Sequence, residues 1–195
     1  MKIGTRAIAL GAVLIGAIAV INPPSPPRPT EPEPVTQLHL NSQEEANVRA
    51  FLDTIAYAEV GTTGKEGYRQ LVFGGKFNSF RSHPFIKNCG VIGGKRVCST
   101  AAGRYQMMNF NWGPLKRRLR LKDFSPESQD KMAIALIKEK GALEDVKAGR
   151  FEIAARKVGR VWASFPHNTY RQNPKSIATL KRVYLRERRK YKVGR

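Results

Sequence analysis

The chain has 195 residues and is 41% hydrophobic, which is typical of a globular domain with a substantial core and excludes a disordered chain. Its formal net charge of +20 predicts a polyanionic partner or an anionic surface. Nucleic acid, anionic lipid and the acidic bacterial cell wall all satisfy that condition, so charge alone does not choose among them.

Residues 1–21 predict an export segment. Two basic residues precede an uncharged apolar run of 15 residues, AIALGAVLIGAIAVI, whereas a membrane span needs roughly 20 residues. Such a run is typical of a signal peptide, with a small-residue cleavage site at 17–19, or of a temporary inner-membrane anchor. Residues 22–40 are Pro-rich and predict an extended spacer. We therefore expect one folded domain over residues 41–195, exported to the periplasm.

A first helix is predicted from its capping signals and its apolar face. Ser42 and Glu45 have the spacing of a capping box, which places the helix start near Gln43. Gly61 is suited to end the helix. Between these ends, one face carries apolar residues at three- and four-residue spacing, namely Val48, Phe51, Leu52 and Ile55. The next position on that face is Glu59, a carboxylate where an apolar side chain is expected.

Glu59 is the acidic residue at which we expect chemistry. Only three acidic residues lie between 46 and 122; Asp53 falls off the apolar face and Glu66 lies in a loop, so both are expected in solvent. A carboxylate at the buried edge of a helix end loses hydration, which raises its pKa and suits it to act as a general acid. The alternative is that the last turn rolls Glu59 into solvent. A serine hydrolase is disfavoured because the chain has no GxSxG elbow, and no GxGxxG pattern of a phosphate-binding loop occurs.

The two cysteines flank a predicted hairpin. Cys89 and Cys98 enclose GVIGGKRV, in which Gly93–Gly94 is a turn signal between short apolar segments. In an exported protein we expect a disulfide between them, and two free thiols are the alternative. We expect neither a metal nor another cofactor, because the three histidines are scattered and no Cys/His cluster has ligand spacing.

The rest of the chain favours helices around a small β lobe. Short apolar segments at 70–73 and 91–97 suit strands. Helical patterning occupies most of the remainder, namely 101–119, 125–141, 151–163 and a basic C-terminal helix at 174–191. These elements predict an α+β fold that is mainly helical, with the hairpin lobe inserted after the first helix.

Seven short segments between Ala50 and Tyr184 form a colinear series: FLDTIAYAEVGT, EGYRQLVFGG, SHP, AAGRYQMM, LKDFSPESQD, IKEKGAL and VWASFP. In this order they resemble the bacteriophage lambda-type endolysins. The resemblance implies a lysozyme-like fold and cleavage of the MurNAc–GlcNAc bond of peptidoglycan by lytic transglycosylation, which leaves a 1,6-anhydro ring. It also implies that Glu59 is the catalytic acid. Val60 departs from the family, in which Gly-Thr follows the glutamate directly.

The resemblance also implies a set of substrate-binding residues. The segment GRYQ matches the cleft segment of the family, so Arg104 and Gln106 are expected to bind sugar, and Tyr105 either stacks on a ring or packs below it. Tyr170 and Gln172 correspond to the far wall of the cleft. Their neighbours, HNTYRQ, depart from the glycine-rich form of the family.

Basic runs at 116–122 and at the C-terminus are usually solvated faces, but they could also hold the protein on the anionic wall or on anionic outer-membrane lipid.

The leading hypothesis is an exported endolysin that acts on peptidoglycan strands and lyses the host cell, with no specific nucleic-acid partner. Two alternatives stay open. One is a water-using muramidase on the same fold, and the other is a secreted cationic protein that binds nucleic acid or membrane.

Overall fold

The computed structural model describes residues 40–166 and 174–193, and within these ranges helices dominate. In chain order the elements are α1 (Ser42–Val60), a 3-10 helix (Lys65–Arg69), β1 (Asn88–Ile92), β2 (Lys95–Ser99), α2 (Asn109–Arg118), α3 (Pro126–Glu139), α4 (Leu143–Lys147), α5 (Phe151–Val158) and α6 (Ile177–Val193). The predicted α+β class, with a hairpin after the first helix, is confirmed. The export segment and nearly all of the Pro-rich spacer lie outside the described residues. None of the helices described is both long enough and apolar enough to cross a membrane.

The capping box that starts α1 lies one residue earlier than predicted. The Asn41 side chain accepts hydrogen bonds from the backbone N–H groups of Gln43 and Glu44, at 3.0 and 2.9 Å. The Glu44 carboxylate in turn accepts from the Asn41 N–H at 3.0 Å. The expected pair of Ser42 and Glu45 was therefore wrong, because asparagine caps as well as serine and Asn41 has a glutamate at the required spacing.

The other end of α1 is as predicted. Gly61 has a φ of +78°, and its backbone N–H donates to the carbonyl oxygen of Tyr57 at 3.1 Å. Glycine adopts this left-handed conformation without the steric cost that a Cβ atom brings. The helix therefore ends at Val60, one residue after Glu59, which fixes Glu59 in its last turn.

Aromatic packing joins α1 to the C-terminal half of the domain. Phe51 meets Phe151 edge-on with ring centres 5.8 Å apart, and Phe151 stacks on Tyr184 of α6 at 4.9 Å. Phe51 also contacts Phe165, which follows α5. All four side chains are buried. Truncating such a ring to alanine costs about 3–5 kcal/mol, so this cluster fixes α1 relative to the segment after α5.

Asp53 does not lie in solvent as expected from its place on the helix, because it forms a buried ion pair. It is 3% exposed, and its Oδ1 lies 2.6 Å from a terminal nitrogen of Arg104. The Tyr191 hydroxyl of α6 donates to Oδ2 at 2.7 Å. A buried carboxylate is tolerated only when charge and hydrogen bonds compensate its lost hydration. Its partners lie 51 and 138 positions away in the chain, so local periodicity could not reveal them.

The hairpin confirms the predicted disulfide. β1 and β2 pair antiparallel, with Cys89 directly opposite Cys98, and the two cysteines are bonded to each other. Gly93 and Gly94 supply the turn with φ angles of +55° and +76°. Within the described ranges this is the one two-stranded sheet, and the strand predicted at 70–73 makes only isolated bridges.

The helix predicted from residue 101 begins only at Asn109. Residues 101–107 form a tight turn instead, closed by a bridge between Ala102 and Met107. Gly103 and Gln106 have φ angles of +79° and +47°, and a right-handed helix cannot include them. This turn is the GRYQ segment that the sequence singles out for a substrate cleft.

Candidate active site

The carboxyl group of Glu59 is held by a serine from the far end of the domain. Glu59 is half-buried in the last turn of α1. The Ser164 hydroxyl donates a hydrogen bond to its Oε1 atom, and the backbone N–H of Ser164 donates to the same carboxyl group. Ser164 belongs to the VWASFP segment after α5, so the fold joins the first and fifth helices at this point.

Burial raises the pKa of Glu59 from 4.5 to about 7. The two hydrogen bonds from Ser164 and the positive charge of Lys175 act in the opposite direction, because they favour the ionised form. Loss of hydration is the larger effect. Near neutral pH the carboxyl group is therefore divided between its acid and its carboxylate, which agrees with the expected direction and not with a Glu59 rolled into solvent.

Lys175 forms the cationic border of this site. Its ammonium group lies 5.2 Å from the centre of the Tyr57 ring, one half-turn of α1 before Glu59. The backbone N–H of Lys175 donates to the carbonyl oxygen of Ser164 at 3.0 Å. Lys175 is therefore fixed to Ser164, the residue that holds the Glu59 carboxyl group.

Arg104 and Tyr105 are both buried. Arg104 is 6% exposed; besides Asp53 it contacts the Thr63 carbonyl oxygen at 2.6 Å. Tyr105 is fully buried, and its hydroxyl donates to Asp130 at 2.6 Å. Arg104 is held in a buried ion pair, and its role in sugar binding stays a prediction. For Tyr105 the structure has the packing alternative in place of ring stacking.

The backbone of Tyr105 nevertheless contacts the segment that carries Ser164. Its carbonyl oxygen accepts a hydrogen bond from the indole nitrogen of Trp162 at 3.0 Å. Trp162 lies two residues before Ser164 and is 3% exposed. The buried turn at 101–107 therefore anchors the segment that carries Ser164 to Glu59.

Gln106 is the member of the GRYQ segment that keeps access to solvent. It is half-buried, and its side-chain amide donates to the Gly103 carbonyl oxygen at 3.0 Å. Its role in sugar binding stays a prediction. Tyr170 and Gln172 lie outside the described residues, so their predicted role also stays a prediction.

Sequence reasoning missed Ser164 and Lys175. Ser164 was within the quoted segment VWASFP, where a hydroxyl among apolar and aromatic residues is the one signal available. Lys175 carried no signal, since it is one of 35 basic residues. Neither could be paired with Glu59 from the sequence, because the first contact spans 105 positions.

The described residues include no group of three acidic, histidine or cysteine side chains arranged to hold a metal ion. His83, the histidine within these ranges, is 1% exposed. Its Nε2 lies 2.9 Å from the Met107 carbonyl oxygen. Burial lowers the pKa of His83, so this side chain is a neutral part of the core near the hairpin.

A mainly helical domain with a hairpin lobe, whose first long helix ends in a half-buried and hydrogen-bonded glutamic acid, defines a lysozyme-like enzyme. The chain belongs to the endolysin family, since the family model described as Endolysin matches residues 49–190.

Phage proteins are similar to the chain over most of the described domain. It is 41% identical over 150 residues to the endolysin of Escherichia phage P2, covering 71% of this chain and 90% of that protein. The endolysin of Escherichia phage lambda is 37% identical over 129 residues, which cover 64% of this chain and 80% of that protein. A solved structure of bacteriophage lambda lysozyme complexed with a chitohexasaccharide matches with a TM-score of 0.66 and 33% identity. The match covers 77% of this chain and 96% of that chain. These matches confirm the predicted lysozyme-like fold.

Proposed function

We propose that the protein is an endolysin that degrades bacterial peptidoglycan, and that it cleaves the MurNAc–GlcNAc bond as a lytic transglycosylase. The observation that carries this proposal is Glu59, a carboxyl group with a pKa raised to about 7 and held by Ser164. The related lambda lysozyme was solved with a chitohexasaccharide, which supports a glycan strand as the substrate here.

In the first step Glu59 acts as the acid. Its proton passes to the glycosidic oxygen as the bond to the anomeric carbon breaks, and the leaving sugar departs as an alcohol. The carboxylate that forms is stabilised by the two hydrogen bonds from Ser164 and by the charge of Lys175. The same contacts that oppose the raised pKa in the resting enzyme therefore favour proton transfer.

In the second step Glu59 acts as the base. Its carboxylate takes the proton of the 6-hydroxyl group of the sugar, whose oxygen then bonds to the anomeric carbon and closes the 1,6-anhydro ring. Glu59 returns to its acid form, so one carboxyl group completes the cycle without water. A pKa of about 7 suits both roles, since neither form is strongly disfavoured near neutral pH.

The electrostatic surroundings of Glu59 support this route over that of a water-using muramidase. Hydrolysing glycosidases generally use a second carboxylate about 5–9.5 Å from the acid, and a like charge at that range raises the pKa of its neighbour. Among the described residues no acidic side chain contributes to the raised pKa of Glu59, and the one charged contributor is Lys175.

Two experiments test the proposal. Lysis of purified peptidoglycan should fall about 10²–10⁴-fold in Glu59→Gln, the range for loss of a general acid. Glu66→Gln is the matched control. Glu66 lies seven residues after Glu59, is exposed, and accepts a hydrogen bond from the Thr62 hydroxyl. Undiminished lysis by Glu59→Gln would remove Glu59 from the mechanism. Mass spectrometry of the muropeptides that the parent enzyme releases should find anhydro ends, whereas reducing ends would establish the muramidase.

We also propose that residues 1–21 deliver the enzyme to the periplasmic side as a temporary inner-membrane anchor, with 22–40 as a spacer. The apolar run has eight strongly apolar residues, each contributing about 0.3–0.6 kcal/mol of insertion. The sum is a few kcal/mol, which permits later escape. The net charge of +20 would then hold the released enzyme on anionic wall polymers or outer-membrane lipid, more weakly as salt rises.

A further inference from the structure

The end of the hairpin exposes apolar side chains to solvent. Val91 and Ile92, the last two residues of β1, are 71% and 42% exposed, and Gly93 and Gly94 make the turn that follows. Seven of the nine exposed large hydrophobic side chains of the described residues lie within positions 73–110. Exposed apolar groups gathered in one lobe mark an interaction site, whereas scattered ones do not. We name residues 91–96 the hairpin tip.

Each apolar residue of the hairpin tip has a cation beside it. In the register of the two strands Arg96 lies opposite Val91, and Lys95 lies opposite Ile92. Both basic residues are exposed. Opposite residues of an antiparallel pair have Cβ atoms about 5 Å apart, and the long stems of lysine and arginine let their charges stay in a polar environment beside an apolar neighbour. The tip therefore combines aliphatic side chains with two positive charges at the same level.

The sequence around the hairpin tip has no negative charge. Residues 67–122 include twelve lysines and arginines and no aspartate or glutamate. This stretch contains the whole hairpin, so the lobe is cationic along its entire sequence. Because a second copy of the same tip would bring like charges together, the partner that matches is an anionic one.

The base of the hairpin is braced. The disulfide between Cys89 and Cys98 joins the two strands directly below the tip. On the side of the hairpin that carries Gly90, the Phe73 ring packs so closely on the backbone that a Cβ atom at Gly90 would have no room. Because the tip is already ordered before it meets a partner, binding costs little conformational entropy.

The aliphatic character of the tip selects among anionic partners. Nucleic acid and anionic wall polymers are attracted by Lys95 and Arg96, but they gain nothing from a valine and an isoleucine. A glycan is bound by hydrogen-bonding groups and flat rings, and Val91 and Ile92 supply neither. An anionic bilayer uses both features of the tip, since its headgroups attract cations and its acyl boundary takes up aliphatic side chains.

We propose that the hairpin tip docks on the surface of an anionic phospholipid bilayer, with Val91 and Ile92 in the acyl boundary and Lys95 and Arg96 at the headgroup phosphates. Net charge alone attracts the protein to any polyanion, whereas this surface selects lipid and determines which lobe faces it. The docking does not depend on the proposed glycan chemistry, because it uses no residue of the candidate active site.

A tryptophan at the tip of the full chain tests the proposal. The emission of Val91→Trp should shift to shorter wavelength on vesicles of phosphatidylglycerol and phosphatidylethanolamine, and brominated acyl chains should quench it. Vesicles of neutral phosphatidylcholine should require about 25-fold more lipid, since each of the two basic residues strengthens binding to an anionic surface about fivefold. The native Trp112 and Trp162 are buried, and their emission is subtracted by means of the parent chain.

The matched probe is Ile153→Trp, which places the same ring at an exposed position of α5. Its emission should not shift, and brominated lipid should not quench it. Both chains carry the apolar run of residues 1–21, so insertion of that run alone would affect the two probes alike. Equal quenching at both positions, or none at the tip, would overturn the proposal.

A second pair of variants separates lipid from glycan. In the Val91→Trp chain, Ile92→Ser should raise the lipid concentration for half-maximal quenching about tenfold, as expected for loss of an inserted aliphatic side chain. Ile153→Ser is the matched change and should leave that concentration unchanged. Equal effects of the two serine variants would contradict insertion of the tip.

The same substitution is then assayed without lipid. Ile92→Ser in the parent chain should lyse purified peptidoglycan at the parent rate, which also shows that the variant is folded. A loss of lysis that parallels the loss of vesicle binding would assign the tip to the glycan and overturn the proposal. If the parent chain itself does not lyse peptidoglycan, the glycan proposal fails and the vesicle measurements alone decide the docking.

Discussion

Replacing Glu59 with glutamine should stabilise the protein at alkaline pH while it lowers the activity. Glutamine keeps the size of the side chain and an oxygen that can accept from Ser164, but it has no charge to bury. The pKa of Glu59 is raised from 4.5 to about 7, and at 1.36 kcal/mol for each pH unit this gives an upper bound of about 3.4 kcal/mol. Because Glu59 is half-buried, solvent screening reduces the gain to about 1–3 kcal/mol.

The sign follows from where the proton is bound. Below pH 4.5 Glu59 is protonated in both the folded and the unfolded chain, so its ionisation costs nothing there. Between 4.5 and about 7 the folded chain binds more protons than the unfolded chain, and the free energy of unfolding falls as pH rises. Above about pH 7 Glu59 is ionised in both the folded and the unfolded chain, and the full cost of burying its charge lowers the free energy of unfolding. The parent protein should therefore lose stability across this window, and Glu59→Gln should not lose this contribution.

Urea unfolding of both proteins at about pH 4, pH 5.5 and pH 8 measures the difference directly. The free energies of unfolding should differ least at the lowest pH and most at the highest, with equal slopes against urea. Glu66→Gln provides a control in which the charge removed is exposed. If the difference between Glu59→Gln and the parent stays constant from pH 4 to pH 8, the carboxyl group is not desolvated and the reasoning fails.

Three other outcomes are expected. Ser164→Ala should raise the pKa of Glu59 further, because the lost hydrogen bond favours the ionised form; the pH–rate profile should shift to higher pH, and a shift to lower pH would contradict this. Cys98→Ser should lower the free energy of unfolding in urea by about 2–3 kcal/mol, the expectation for a short loop, and Cys89 should be alkylated without reductant only in that variant. N-terminal sequencing of soluble active enzyme should find residue 1; a chain that starts at Val20 would mean ordinary signal cleavage.

Glu59 and the hairpin could be predicted because their signals are local. The spacing of Val48, Phe51, Leu52 and Ile55 leads directly to Glu59, and side chains at that spacing share one face of any helix. The paired cysteines around Gly93–Gly94 likewise need only a tight turn to meet. In both cases a few neighbouring residues are enough to determine the geometry.

The partners of Glu59 and Asp53 could not be predicted, because they come from distant parts of the chain. Asp53 falls off the apolar stripe of α1, and periodicity alone assigns such a residue to solvent; the fold instead brings Arg104 to it. Arg104 was assigned to the substrate by its place in a family segment, and that segment carries no sign of its buried pairing with Asp53. Polar residues acquire their role from what packs against them, which neither pattern nor composition records.

The hydrogen bond from Tyr191 to Asp53 limits how this enzyme can be re-engineered. The basic C-terminus looks like an appendage that could be trimmed to reduce charge or replaced by another module. Yet a truncation before Tyr191 would remove a donor from a buried charge, a change that costs about 1–3 kcal/mol or more. Charge is better altered at exposed positions of α6 such as Arg182 and Arg189, and a fused module is better joined after the last helical turn.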